Sequence, residues 1–260
     1  LYVLEVPACP EKGMDPQSFE KALDANPVKV CLLNSNFHNP LGSVMSRENK
    51  KAIFNIARKR EIPIIEDDIY GDLHHSETRP TTFKSMDKDG SVLYCSSFSK
   101  ALSPGLRTGW AVPGKFKDTV IRMKRNTAIS NPGINHIVVA RFIRTGGYDR
   151  HLRQLRNKLK NQVSAMAMAV SRFFPPDTKI TFPKGGLFIW VALNPEIDAM
   201  EVYRRAYVEK ISSLPGTICS SSDAYDNCLR INCGRKWSQD LENGIRKLGD
   251  IVAGLHPGTG

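Results

Sequence analysis

Short runs rich in apolar residues punctuate the first half of the chain, at 28–33, 62–65, 91–94 and 108–112, each with the length of a buried strand. Residues 1–6 read as one more strand. Between these runs the spacing turns helical. Asp15-Pro16 opens a helix, the carboxylate as cap and proline at the first position, and Asn26-Pro27 ends it. Ser46 caps the next, where Ile53, Ile56 and Ala57 share one face and basic residues another. Strands alternating with helices predict an α/β fold whose sheet is mostly parallel and covered on both faces.

The second half changes rhythm. Helical stretches at 115–125 and 135–144 are separated by Asn131-Pro132-Gly133, and Gly146-Gly147 precedes a long helix over 149–174. Leu152, Leu155, Leu159, Val163, Met166 and Val170 recur there at helical spacing, which marks a core stripe rather than a cofactor site. Pro175-Pro176 stops it. Strands follow at 179–182, 187–193 and 228–232, with helices over 199–210 and after Ser238. The pattern divides the chain into a large α/β part, 1–145, and a small α+β domain, 146–260.

Composition narrows the class without naming a function. The 260 residues are 41% hydrophobic and 24% charged, ordinary for a globular protein. No apolar run has the length of a membrane span, and no signal-peptide pattern opens the chain. Six scattered cysteines form no CxxC pair, so reduced thiols in the cytoplasm are expected and a metal site is not. The net charge of +11 is spread along helices such as 47–60 and 150–160, as on solvated faces. No RNA-binding aromatic motif or helix-turn-helix is recognisable. The opening on Leu1 suggests a start inside a domain.

Chemistry gathers where predicted strands end. In open α/β sheets ligands sit beyond the carboxyl ends of the strands, and three polar clusters fall there: 36–42, 67–70 and 96–107. The last holds Ser97, Lys100 and Arg107. It reads either as a plain surface loop or as an amine able to condense with a carbonyl beside hydroxyls and a guanidinium that suit a phosphate. Asp67 and Tyr70 read as an acidic turn with a packed tyrosine, or as a carboxylate and phenol facing a heterocycle. Asn39-Pro40 is an ordinary turn or an amide donor to the same ring. Arg230 stands in an apolar strand and needs an anion, either an internal acid or a ligand carboxylate.

Order and spacing join these fragments. Asn39-Pro40-Leu41-Gly42, then Asp67-x-x-Tyr70, then Ser97-x-x-Lys100 with Arg107, then Arg230 resembles the pyridoxal-phosphate aminotransferases of the aspartate aminotransferase fold, class I/II. The phrases Ser96-Ser97-Phe98-Ser99-Lys100, Ser103 to Trp110 and Cys228-Leu229-Arg230-Ile231-Asn232 look closest to the aminotransferase-like domain of MocR-type regulators in the GntR family and to 2-aminoadipate-type aminotransferases. The resemblance implies pyridoxal 5'-phosphate as cofactor. Lys100 would form the aldimine and then move the substrate proton. Asp67 would keep the ring nitrogen protonated, and Tyr70 and Asn39 would hydrogen-bond the phenolic oxygen. Ser97 and Arg107 would hold the phosphate, and Arg230, with Asn39 beside it, the substrate carboxylate.

The implied activity is amino-group transfer between an amino acid and a 2-oxo acid. The alternative is a cofactor-binding effector domain of a transcription regulator, whose DNA-binding winged helix would lie upstream. An inert fragment is the third reading. The family pairs as a homodimer, which is expected here too. Its small-residue phosphate loop, ring-stacking aromatic and partner-reaching tyrosine precede anything in this sequence, so the chain resembles the C-terminal two-thirds of such a domain. Missing strands would leave an open, apolar sheet edge. Gly185-Gly186 is a structural turn in this reading. His38, His74 and His75 are assigned no task and are expected to be solvated or internally satisfied.

Overall fold

The computed structural model describes residues 2–128, 130–222 and 224–259. The first strands are β1 (Ala8–Cys9) and β2 (Gly13–Met14), an antiparallel pair. The strand expected over 1–6 is not there: residues 2–7 carry no regular structure, and Leu1 lies outside the described residues. Tyr2 and Val3 are fully or largely exposed with no neighbouring strand to pair with, and Pro7 and Pro10 each lack an N–H for a ladder.

Helix α1 (Pro16–Ala25) begins as its sequence dictates, Asp15 accepting from the amide of Ser18 at 2.8 Å. Strand β3 (Cys31–Leu33) leads to α2 (Arg47–Lys59), capped by Ser46. Next come β4 (Ile64–Asp67), β5 (Val92–Ser97) and β6 (Gly109–Val112). These strands form one sheet in the order β3-β4-β5-β6, parallel except for β6, which runs back along β5. Phe19, Ile53, Phe54, Ile64, Phe83 and Val92 make its core on the α1–α2 face. The expectation of cover on both faces fails at the edges: all four residues of β6 are exposed, and Leu32, Trp110 and Val112 present apolar surface.

Helices α3 (Lys117–Thr127), α4 (Gly133–Arg144) and α5 (Gly147–Phe173) follow. The stripe on α5 is core, as its spacing predicts: Leu152, Leu159, Val163, Met166 and Val170 are all buried. Beyond it lie β7 (Lys179–Ile180), β8 (Phe188–Ala192), α6 (Ala199–Val208), β9 (Leu214–Pro215), β10 (Cys228–Asn232) and α7 (Gln239–Ala253). They build an antiparallel sheet, β7-β8-β10-β9, against which α5, α6 and α7 pack. Strand β9 escapes sequence reading because it is two residues long and half proline.

The two sheets meet through Phe37, Tyr70, Leu73, Leu152 and Phe188, a single buried cluster. Backbone bonds reinforce the seam: Gly186 donates to the Leu73 carbonyl at 2.9 Å and His75 to that of Lys184 at 2.9 Å. Gly185 is obligatory here, since a Cβ would run into the Phe37 ring and the Leu73 carbonyl.

Candidate functional site

Because β3, β4 and β5 are parallel, their carboxyl ends share one edge, and the sequence puts polar residues there each time. Asp67 closes β4. Its carboxylate accepts from the Ile69 amide at 3.3 Å and has no cationic partner among the described residues. Burial raises its pKa above the ordinary carboxylate value, and the adjacent Asp68 adds to the rise. Tyr70 is buried, its ring edge-on to Phe188 at 5.6 Å. Burial pushes its phenol up, Arg230 opposes this, and Asp67 reinforces it. Asp67, Ile69 and Tyr70 line one side of a cavity of about 260 Å³; Asn34, His38 and Asn39 line the other.

Arg230, on β10, meets a residue of the cavity's lining. Its Nη1 donates to Asn39 Oδ1 at 2.6 Å, and its guanidinium lies 4.4 Å from the centroid of the Phe188 ring. Its Nε is buried without an acceptor, and no carboxylate pairs with it among the described residues. The internal-acid reading of Arg230 therefore fails.

The neighbouring loop carries the rest. Ser97 ends β5, opposite Gly109, where a Cβ would sit 2.8 Å from the Ser96 carbonyl. Ser97 Oγ accepts from the Ser99 amide at 3.3 Å, and Arg107 Nη1 donates to Ser99 Oγ at 3.3 Å. Arg107 has φ of 45°, a left-handed conformation costing a non-glycine residue about 1–3 kcal/mol. Lys100 is exposed and makes no hydrogen bond or ion pair among the described residues. Thus Asn39, Asp67, Tyr70 and Arg230 are drawn together, while Ser97, Lys100 and Arg107 occupy the adjacent loop at the same edge. A larger hollow, about 590 Å³, runs along α2 and the 86–89 turn and includes none of these residues.

Two cavity residues have no role in the sequence reading. Asn34 Oδ1 and His38 Nδ1 are both buried without partners. Burial lowers the His38 pKa, keeping its ring neutral. The expectation that His38 is solvated or satisfied therefore fails at Nδ1; the His75 ring meets backbone at Gly186 and Pro183, though its Nε2 is buried and unpartnered. His74 is internally satisfied through the Ser76 carbonyl at 2.7 Å. The signal for Asn34 is register: it follows Leu33, which pairs with Glu66, so it stands level with Asp67.

Beneath the edge lies a second polar layer. Glu66 and Asp68, pointing away from Asp67, are buried. Glu66 accepts from the amides of Phe83 and Lys84 at 2.8 and 2.9 Å. Asp68 accepts from Asn36 Nδ2 at 2.9 Å, Arg79 at 2.6 Å and the Tyr94 hydroxyl at 3.0 Å. Lys50, wholly buried, donates to Asn36 Oδ1 at 2.5 Å and the Thr81 carbonyl at 2.6 Å. Burial brings its pKa down to about 8, against the pull of Glu66 and Asp68.

Residues 2–248 match the model for aminotransferases of class I and II. The chain belongs to that family. It is 38% identical to the uncharacterized HTH-type transcriptional regulator YjiR of Escherichia coli, over 96% of this chain and 53% of YjiR. It is 30% identical to 2-aminoadipate transaminase of Thermus thermophilus, over 97% of this chain and 64% of that enzyme. Among solved structures it superimposes on LysN, the α-aminoadipate aminotransferase of Thermus thermophilus complexed with N-(5'-phosphopyridoxyl)-L-leucine. The TM-score is 0.91 at 28% identity, over 97% of this chain and 65% of LysN. The chain thus spans about half to two-thirds of the length of these relatives.

Family and geometry agree on one point. At this edge a carboxylate lacks a cation, two guanidiniums lack anions, and an amine stands free. That set could meet a ligand carrying both cationic and anionic groups, and the matched family is pyridoxal-phosphate-dependent. Among the described residues no helix is long and apolar enough to cross a membrane, and no cluster of three metal-binding side chains is present.

Proposed function

We propose that this chain is the pyridoxal-5'-phosphate-binding effector domain of a GntR/MocR-type transcription regulator, built on the aminotransferase fold and responsive to an amino acid. Its 38% identity to a helix-turn-helix regulator, against 30% to a transaminase, favours the regulator. One structural observation carries the binding reading: Arg230, held by Asn39 and Phe188, has donors to spare and no carboxylate of its own.

The cofactor would supply an aldehyde for condensation and an electron-withdrawing ring. Asp67, poorly solvated and unpaired, would hold the ring N–H⁺. Tyr70 and Asn39 would donate hydrogen bonds to the ring oxygen. Ser97 and Arg107 would take the phosphate. Lys100 would condense with the aldehyde and, freed by an incoming amine, could carry a proton. Arg230 would clamp the carboxylate of the amino acid. The chain would work in the cytoplasm as a homodimer.

A second reading, a working transaminase, is favoured by the 30% identity to 2-aminoadipate transaminase over 97% of this chain. One experiment separates the two. Purified chain is mixed with pyridoxal 5'-phosphate, reduced with borohydride and mapped by mass spectrometry; a modified Lys100 is expected. Amino acids are then added before reduction. Spectral change without release of a 2-oxo acid supports the effector, and catalytic release supports the transaminase. Absence of any Lys100 adduct overturns both.

A further inference from the structure

Two separate loops must be set against each other for the proposed site to work. One is the turn after β4, carrying Asp67 and Tyr70; the other is the loop after β5, carrying Ser97 and Lys100. Adjacent strands bring them to one edge but do not fix their tips. The first turns of α5 touch both.

Tyr148 is a side chain in contact with each. Its hydroxyl donates to Asp72 Oδ2 at 2.9 Å, within the Asp67–Tyr70 turn's continuation. Its ring meets Phe98 edge-on at 5.4 Å, and Phe98 sits between Ser97 and Ser99. Flanking residues repeat the pattern. Arg156 Nε donates to the Asp72 carbonyl at 2.7 Å, while His151 Nε2 donates to the Ala101 carbonyl at 2.8 Å, one residue beyond Lys100. Asp72 also accepts from Arg79 Nε at 3.0 Å, which ties it to the buried layer through Asp68. The carboxylate of Asp72 thus takes two donors and its carbonyl a third, leaving it little freedom. Burial and the Asp72 charge hold the Tyr148 phenol far above its usual range, against Arg156 and Arg79, so it remains a donor at working pH.

We infer that Tyr148 is a positioning residue, bridging Asp72 and Phe98 so that the Lys100 loop is held at a fixed offset from Asp67 and Tyr70. This inference rests on the proposed cofactor site for its consequence, though not for the bridge itself. The bridge has two separable halves. Tyr148→Phe keeps the ring against Phe98 and deletes the hydroxyl; Tyr148→Leu deletes both; Asp72→Asn keeps the shape and weakens the acceptor.

Amide hydrogen exchange on the chain without cofactor tests the bridge directly. In Tyr148→Phe the Leu73 amide, bonded to the Tyr70 carbonyl at 2.8 Å, should exchange at least fivefold faster. In Tyr148→Leu the Leu102 amide, bonded to the Phe98 carbonyl at 2.8 Å, should follow. Amides of Ile189 and Leu229 in the second sheet should stay unchanged. Equal acceleration everywhere, or none, would overturn the inference, because a merely stabilising residue has no local signature. With pyridoxal 5'-phosphate, the pH profile of borohydride trapping at Lys100 should shift in Tyr148→Phe and Asp72→Asn alike; a profile superimposable on wild type would also overturn it. If the wild-type chain gives no Lys100 adduct, the cofactor reading fails, and the exchange rates alone decide for or against the bridge.

Discussion

Glu66, Asp67 and Asp68 are consecutive, yet they live in opposite electrostatic worlds. Glu66 and Asp68 face down, into a layer where every charge is answered: two backbone amides for one; Asn36, Arg79 and Tyr94 for the other, with Lys50 close by. Asp67 faces up, among groups left unanswered: its own carboxylate, the Arg107 and Arg230 guanidiniums, Asn34 Oδ1 and His38 Nδ1. A strand turns successive side chains to opposite faces, so one tripeptide serves both. Paired charge holds the edge in shape, and unpaired charge is what a ligand can use.

The contrast can be broken most violently from below. Lys50→Met removes the buried ammonium's hydrogen bonds to Asn36 Oδ1 and the Thr81 carbonyl, and leaving buried acceptors unsatisfied costs about 1–3 kcal/mol each. Denaturant unfolding of the cofactor-free chain should record a loss of that size. Lys50 in the wild type also imprints a pH signature. Its folded pKa of about 8 lies below the ordinary 10.5, so the unfolded chain binds the extra proton between them. Wild-type stability should therefore gain as pH rises from about 8 towards 10.5, relative to Lys50→Met, and a flat difference would contradict the burial.

From above, the same measurement should return much less. Arg230→Leu removes one hydrogen bond to Asn39 and a stacking contact on Phe188, together about 1–2 kcal/mol for a part-exposed site. Binding of a free amino acid to the cofactor-loaded chain should instead weaken at least tenfold. Should stability collapse while binding survives, Arg230 belongs with the structural layer after all.

Much of the upper face was legible in the chain, and little of the lower. Asp67, Tyr70 and Arg230 announce themselves as polar residues just after a readable apolar run or within one, and Asn39 and Lys100 through the order and spacing of the motifs around them. Lys50 does not: inside α2, among Lys51, Arg58 and Lys59, it looks like any solvated lysine, and only the fold of the 79–84 loop over it reveals burial. Arg79 and Asp72 hide in an irregular stretch with no period to read. Tyr148 opens a helix whose core stripe was clear, but its contacts at Asp72 and Phe98 are set by tertiary packing. Residues 1–6 misled in the other direction, since strand-like composition makes no strand without a partner.

The smallest effect is the sharpest discriminator. Burial raises the folded pKa of Asp67 above its ordinary 3.8, outweighing the Ile69 amide, which pulls the other way, with a smaller upward push from Asp68. A raised folded pKa means the native chain holds the proton longer than the unfolded one does. Its contribution is then fully present below pH 3.8 and is lost as pH climbs through the folded value. Asp67→Asn, which never ionises, should therefore gain on wild type across that window and keep a small advantage at neutral pH. Glu66 shifts the same way, but it is present in both chains and cancels in the difference. Adding pyridoxal 5'-phosphate should reverse the order, because a ring N–H⁺ favours the carboxylate that burial penalises. If Asp67→Asn loses stability without cofactor, or if cofactor leaves the order unchanged, Asp67 is a satisfied member of the lower layer and the division between the two faces is false.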